Sequence, residues 1–441
     1  MNDLLNNIKQ VLLITAIGAM GCPVEAGALL DLYQQTLDSN PSLMSRKYTI
    51  DQSEARQDQA FSRLLPQVSA NGSYSGNSFK NDGVPTENYD GLRGTVQARQ
   101  ALLDAPSYLR YLGSEAATRQ SQEEYEAFQM ELGGELVDRY LKTLEAIDKI
   151  TYLTDEMESV KTQLKRLQHL YKKQMTKVTD LYEVEAYFQS LQTQTIEADN
   201  EKAISMEKLR EISGSLPAQI ALLSVDAFPP MPTDVDTWIA DAVSSNLNLL
   251  ALKSGIESAE KNLSGAKAEH LPQLALLLSH TYSDQGFDNR FQPPYNVSSA
   301  TLQVNIPLYE GGRVDATVRE AVARLMIAKQ EHERIRREIE LETRTSFLNA
   351  IASHSKIDST AEEVKFQKKA NEAQKKGYEL GASTIIDVLD SQRRASQAQL
   401  DHLKARYDYI RNLIALKIWS GGLSIDKIEE IDVWFTRYSP D

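Results

Sequence analysis

Two patterns of apolar positions alternate along the chain. In the first, side chains change character at every second residue. Val68, Ala70, Gly72 and Tyr74 are apolar or small, with Ser69, Asn71, Ser73 and Ser75 between them. Leu92, Gly94, Val96 and Ala98 alternate with Arg93, Thr95, Gln97 and Arg99, and Ala300, Leu302, Val304, Ile306 and Leu308 alternate with Ser299, Thr301, Gln303 and Asn305. Leu274 to Tyr282 follows the rule less well, because Leu277 falls on the polar side. This period predicts four strands, within 67–103 and 273–309. One such strand is more simply half of a soluble sheet; four, of about ten residues each, in a chain whose helices bury little, favour a membrane-spanning β-barrel. The stretches Phe79 to Asp90 and Gln285 to Asn296 read as loops. Tyr74, Phe79, Tyr89, Tyr282, Phe287, Phe291 and Tyr295 are candidates for an interfacial aromatic girdle.

The second pattern is helical and long. Ser42 to Arg63 and Arg313 to Lys376 lack Gly and Pro, and Ser107 to about Lys173 is interrupted only by Gly113 and Gly133-Gly134. At 1.5 Å per residue the longest run reaches about 100 Å. Shorter helices follow, Val178 to Ser213 and Thr384 to Trp419, each closed by a glycine (Gly214, Gly421). Their apolar stripes are narrow, as in coiled coils; such stripes most commonly serve packing within one bundle.

Strands and helices recur in the same order because the chain repeats. Asn40, Leu65-Pro66-Gln67 and Thr95-Val96-Gln97 return as Asn246, Leu271-Pro272-Gln273 and Thr301-Leu302-Gln303, each pair 206 residues apart. Further on the offset slips by one: Tyr171 pairs with Tyr378, Asp180 with Asp387, and Ser213-Gly214 with Ser420-Gly421. The period far exceeds that of solenoid units, so each copy is a structural half. The organisation expected is a signal peptide over 1–26, a first repeat over 27–214, a Pro-rich connector over 215–236, a second repeat over 237–422 and a tail over 423–441.

Composition narrows the class. Only 7% of residues are aromatic, which suits long water-exposed helices better than one thick core. The net charge of −14 argues against nucleic acid as a partner and suits a cation pathway. Lys9 ahead of the apolar run Val11 to Ala19, with Val24-Glu25-Ala26 as a cleavage site, reads as an export signal. Cys22 after Gly21 is the alternative, a lipoprotein site, although Ala19 sits where Leu is expected. Beyond residue 26 no apolar run is long enough for a transmembrane helix. Four strands cannot close a barrel, and an open edge in lipid leaves unpaired N–H and C=O groups. Two chains would give eight strands and three would give twelve; the pattern itself does not choose.

Several ordered stretches carry a family resemblance: Leu29-Leu30-Asp31-Leu32-Tyr33 with Asn40-Pro41, Leu64-Leu65-Pro66-Gln67, Asn305-Ile306-Pro307-Leu308-Tyr309 with Gly311-Gly312-Arg313, and Tyr378-Glu379-Leu380-Gly381 running into Thr384-Ile385-Ile386-Asp387-Val388-Leu389-Asp390. Together these resemble the TolC family of outer-membrane channel proteins over nearly the whole chain after residue 26. The resemblance implies an α+β membrane protein and a homotrimer. Each protomer gives four strands to a twelve-stranded barrel, its helices form a long α-barrel through the periplasm of a Gram-negative cell, and the connector and tail build an equatorial belt. It implies the exit duct of a tripartite efflux or type I secretion system, working with a periplasmic adaptor and an inner-membrane RND or ABC transporter, and no cofactor.

The resemblance also implies a gate. Asp387 and Asp390 match the family's periplasmic constriction. Three apart on a helix, they share a face, although two acids in a first helical turn are ordinarily solvated partners of the helix dipole. Six such carboxylates around a narrow mouth would raise one another's pKa and draw cations. Tyr378, Thr179 and Asp180 align with the links that hold the entrance shut, and Gly381 with the tip turn. Ser383 stands where the family has a basic partner for the acid, so Lys177 or Lys172 is expected to substitute for it. Gln174 stands opposite Gly381, so the two tip turns are expected to differ.

An enzyme is not expected. The six histidines (His169, His270, His280, His332, His354, His402) form no HExxH spacing, no metal set is evident, and the phosphate-cradling GxxxxGK[ST] loop and GxSxG elbow are absent. His332-Glu333 reads as charged helix surface. The remaining rival is a periplasmic coiled-coil scaffold or adaptor with a small soluble sheet.

Overall fold

A computed structural model describes residues 28–217, 220, 222–223, 230–284, 293–432 and 434–436. The expected signal peptide with Cys22, Phe287 and Phe291 of the girdle, and parts of the connector and tail lie outside them.

The described chain runs α1 (Ala28–Ser39), α2 (Pro41–Ser62), β1 (Gln67–Asn81), β2 (Val84–Leu103), α3 (Ala105–Lys172), α4 (Val178–Ser213), β3 (Leu222–Leu223), α5 (Val235–Ser245), α6 (Leu247–Ala268), β4 (Gln273–Asp284), β5 (Tyr295–Asn305), α7 (Arg313–Glu379), α8 (Ile385–Trp419), α9 (Ile425–Asp432) and β6 (Phe435–Thr436). Helix, hairpin, long helix and returning helix thus occur twice in the same order. Matched contacts accompany the order. The Asn40 side chain caps α2 through the Ser42 and Leu43 amides, and that of Asn246 caps α6 through the Asn248 amide. Ser39 Oγ donates to the Ser213 carbonyl at 3.1 Å, and Ser245 Oγ to that of Ser420 at 3.2 Å.

The four longer strands form one antiparallel sheet in the order β1-β2-β4-β5. Its register gathers Val68, Ala98, Leu278 and Ala300 on one face and Gln67, Arg99, Leu277 and Thr301 on the other, as the alternation requires. The apolar face is bare in the protomer: Val68 is 70% and Leu302 61% exposed.

The pattern misjudged the strand ends. Phe79 to Asp90 is strand rather than loop, turning at Asp82-Gly83, so the first hairpin continues well past the roughly ten residues a bilayer needs. At the other end β5 stops at Asn305; Pro307, which has no N–H to give a ladder, lies two residues on. Of the described girdle candidates, Tyr74 and Tyr282 lie on the apolar face, whereas Phe79, Tyr89 and Tyr295 lie on the polar one.

Long helices α3 and α7, of 68 and 67 residues, each extend about 100 Å. Next to the sheet they pack with α2 and α6, and at the far end with α4 and α8. Glu269, its side chain 11% exposed, pairs with Arg110 at the start of α3 and Arg313 at the start of α7, tying helices together where the chain enters the sheet. The main core sits mid-way along the helices. Leu136, Tyr140, Leu144, Tyr407 and Ile410 meet Leu32 and Tyr33 of α1 and Ile428 of α9 there. Gly133-Gly134 does not interrupt α3: a Cβ on Gly134 would lie 2.3 Å from Ile418 Cδ1, so the glycines set the approach of α8. Beside this core β3 pairs with β6, joining connector to tail. Away from it, α7 carries its own ladder of ion pairs, in which Arg336 and Arg337 hold the Glu333 carboxyl down to about 2. Among the described residues no helix is long and apolar enough to cross a membrane.

The two turns at the far end adopt one backbone conformation, contrary to the difference expected from Gln174 and Gly381. Gly381 has φ 76° and Gln174 φ 60°. The Ala382 amide donates to the Gly377 carbonyl at 2.7 Å, and the Met175 amide to that of Leu170 at 2.9 Å. The i→i−5 bond closes both helices and holds Gln174 in the left-handed region despite its Cβ. Gln174→Gly should relieve about 0.5–1 kcal/mol there. Hydrogen exchange at the Met175 amide should slow about two- to fivefold; faster exchange would show that Gln174 is not strained.

Candidate functional site

The far end of the helices is the candidate gate. Leu164, Leu167, Val184 and Tyr187 of the α3–α4 hairpin pack against Ile385, Val388 and Leu389 of α8 in one apolar cluster. Half-buried Tyr378, near the end of α7, packs on the same cluster. Arg166 reaches Glu379 at 3.8 Å between the long helices.

Every third or fourth residue of α8 faces this cluster, which turns Asp387 and Asp390 outward. Both are exposed and share a face, as their spacing predicts. Asp387 is also the second half of a capping box. Thr384 Oγ1 and N donate to its Oδ2 at 2.7 and 2.8 Å, and its own amide donates back to Thr384 Oγ1 at 3.2 Å. The Thr384 hydroxyl and then its backbone N–H hold the Asp387 carboxyl below the usual carboxylate range. Within one protomer the shift is therefore opposite to the one expected for a crowded ring. Asp390 lies 3.7 Å from Arg393, both side chains half exposed, and such a pair contributes little.

Within the protomer Asp180 is held by hydroxyls rather than by a lysine. Asp180 accepts from Thr176 Oγ1 at 3.1 Å and from Thr179 Oγ1 at 3.5 Å, and among the described residues it has no ion pair with Lys177 or Lys172. Ser383 turns inward and donates to Gln374 Oε1 at 2.8 Å. Lys177, at the cap position equivalent to Thr384, makes no side-chain cap.

Sequence reasoning missed the polar link one layer above. Gln392 of α8 is 3% exposed and donates to Glu156 Oε1 of α3 at 2.6 Å; the Tyr187 hydroxyl of α4 donates to the same oxygen at 3.3 Å. Burial and the adjacent Glu156 push the Tyr187 hydroxyl up, so it stays a donor. The Arg393 guanidinium lies 5.0 Å from the Tyr187 ring centroid. Three helices thus share one carboxylate. A Gln on the buried stripe of α8 was the available signal, but its partner lies 236 positions away.

The outer membrane efflux protein family matches residues 32–215 and 238–422. The chain is 28% identical to outer membrane protein TolC of Vibrio cholerae, covering 95% of this chain and 96% of that protein. It is 26% identical to the alkaline protease secretion protein AprF of Pseudomonas aeruginosa, over 91% and 86%. A crystal structure of CusC superposes with a TM-score of 0.81 at 15% identity, covering 90% of this chain and 92% of that one. The chain belongs to the outer membrane efflux protein family, the TolC family of outer-membrane channel proteins.

Proposed function

We propose that three copies of this chain close their sheets into one twelve-stranded barrel in the outer membrane of a Gram-negative cell and continue it into the periplasm as a tube of helices. The observation that carries this reading is the sheet. Among the described residues it has four strands, one bare apolar face, and outer edges on β1 and β5 without partners. A soluble scaffold or adaptor would leave that face in water, where patches of this kind are rare. The matched contacts of Asn40 and Asn246, and of Ser39 and Ser245, support a duplicated protomer of two repeats, 27–214 and 237–422. The β3–β6 pairing supports a belt built from the 215–236 connector and the 423–441 tail.

The reading is an exit duct that carries substrates outward, as in efflux or type I secretion; AprF is by its name a protease secretion protein. The duct works with a periplasmic adaptor and an inner-membrane transporter of the RND or ABC type, engaged at the helical tips.

Asp387 and Asp390 form the constriction. Around a three-fold axis their exposed carboxylates, six in all, would select cations. Tyr378, Thr179 and Asp180 lie in the gate, with Gly381 shaping its second turn. The Glu156–Gln392–Tyr187 link braces the hairpins behind them, so opening must move α8 relative to α3.

Three measurements test this reading. Membrane fractionation should find the protein in the outer membrane as a heat-modifiable, detergent-resistant trimer; a soluble monomer would refute the barrel. In planar bilayers, Asp387→Ala combined with Asp390→Ala should weaken cation preference, and unchanged reversal potentials would remove these residues from the constriction. The third uses pH. A depressed carboxyl pKa contributes stability that is complete above the unfolded value, about 3.9 for Asp, and is lost as pH falls through the lower folded value. Thr384→Val removes the hydroxyl donor, so its Asp387 should protonate at higher pH than in the unaltered chain. On acidification the variant should lose cation preference first; superimposable titrations would show that the capping box does not tune the gate.

A further inference from the structure

Between Gly91 and Arg99 of β2 the polar face of the sheet carries charge of one sign. Arg93 lies across from Ser73 and Ser283, and Arg99 across from Gln67 and Leu277. On this face no Asp or Glu occurs from Gln67 to Asn77 of β1, from Gly91 to Arg99 of β2, or along β4 and β5. Both guanidiniums are exposed, and among the described residues neither has an ion-pair partner. The isolation is notable in a chain of 62 acidic and 48 basic residues. Many of its other arginines are paired, as with Arg110, Arg313 and Arg411.

Val68 and Val96 on the apolar face are 70% and 51% exposed, the side a closed barrel would turn to lipid. Arginine on a lipid-facing strand position costs about 2–4 kcal/mol at the midplane, so closure places the face of both arginines toward the lumen. Six residues apart on one strand, they stand about 20 Å from each other along it. Between them the face is lined by hydroxyls, including Thr95, whose Oγ1 lies 3.1 Å from Thr281 Oγ1. Guanidinium forks beside hydroxyl donors match the oxygens of phosphate and other oxyanions. Charges of one sign inside a pore with low-dielectric walls also act at longer range than on an open surface. A merely solvated lumen would need polar side chains but no excess of either charge.

We propose that Arg93 and Arg99 form two basic tiers inside the exit barrel that bind multivalent oxyanions and oppose the cation preference of the acidic tip. The inference rests on the reading of the chain as a closed-barrel channel, and it adds a second, opposite charge filter at the other end of the duct.

The test is single-channel recording in planar bilayers with sodium tripolyphosphate added on the barrel side. Channels of the unaltered chain should be blocked. In Arg93→Gln/Arg99→Gln the half-blocking concentration should rise about tenfold, the equivalent of about 1.4 kcal/mol, and cation preference should increase. Arg93→Lys/Arg99→Lys should retain most of the block. Either single Gln variant, expected to show part of the shift, serves if the double variant does not assemble. Equal block in the unaltered and Gln channels, or no block of the unaltered channel, would overturn this inference and leave the channel reading intact. Heat-modifiable trimers that conduct nothing under any condition would overturn both.

Discussion

A strand edge cannot stay open in hydrocarbon. Each unpaired backbone N–H or C=O there costs several kcal/mol, and β1 and β5 each present such an edge over many residues. No rearrangement within the protomer closes the sheet, because four strands are too few to curl onto themselves. In the proposed assembly closure comes from identical chains around a rotation axis. The sheet would then wrap around its polar face, and the helices that leave it at Leu103 and Asn305 would start from a ring and surround a tube.

The helices solve the complementary problem of a tall wall without a thick interior. An α-helix satisfies its own backbone, so α3 and α7 can be about 100 Å long with much of their surface in water. Apolar burial is concentrated at two levels. One is the mid-height core around Tyr140, Tyr407 and Ile428, and the other is the tip cluster around Leu164, Tyr187 and Val388. A smaller cluster joins Ile339 of α7 to Ala242 and Leu249, and exposed pairs such as Arg334–Glu338 and Arg336–Glu340 run along the outside of the same helix.

Much of this was legible in the sequence, for physical reasons that also mark where legibility ended. Period-two alternation at Val68 to Tyr74 and Leu92 to Ala98 identifies strands because one face meets an apolar phase and the other does not. The same logic misread Phe79 to Asp90: where a hairpin leaves that phase, alternation stops and the strand resembles a loop. Asn40 and Asn246 stood out as a repeated pair, and the structure supplies the reason, since each caps the helix that follows. Gln174 gave no sign of its positive φ, because a left-handed turn filled by a residue other than Gly is set by the Met175–Leu170 bond and not by local preference. The Glu156–Gln392–Tyr187 link was invisible because its members come from three separate helices. Asp387 was legible as an ordinary acid of a first helical turn, and the structure gives that role its form, a capping box with Thr384 that sequence reasoning missed.

The two tip turns share one backbone conformation, so side chains must carry whatever distinguishes them. At the tip the difference is chemical. In the second half Thr384 fixes Asp387 in a capping box and holds its carboxyl below the usual carboxylate range. In the first half the equivalent cap position is Lys177, which makes no side-chain cap, and Asp180 is held instead by Thr176 and Thr179. A carboxylate bonded through its own helix terminus has a fixed direction that does not depend on a neighbouring hairpin. Asp180, in the first turn of its own helix, is held instead by the hydroxyls of Thr176 and Thr179, so the acids at equivalent positions of the two tips differ in what fixes them.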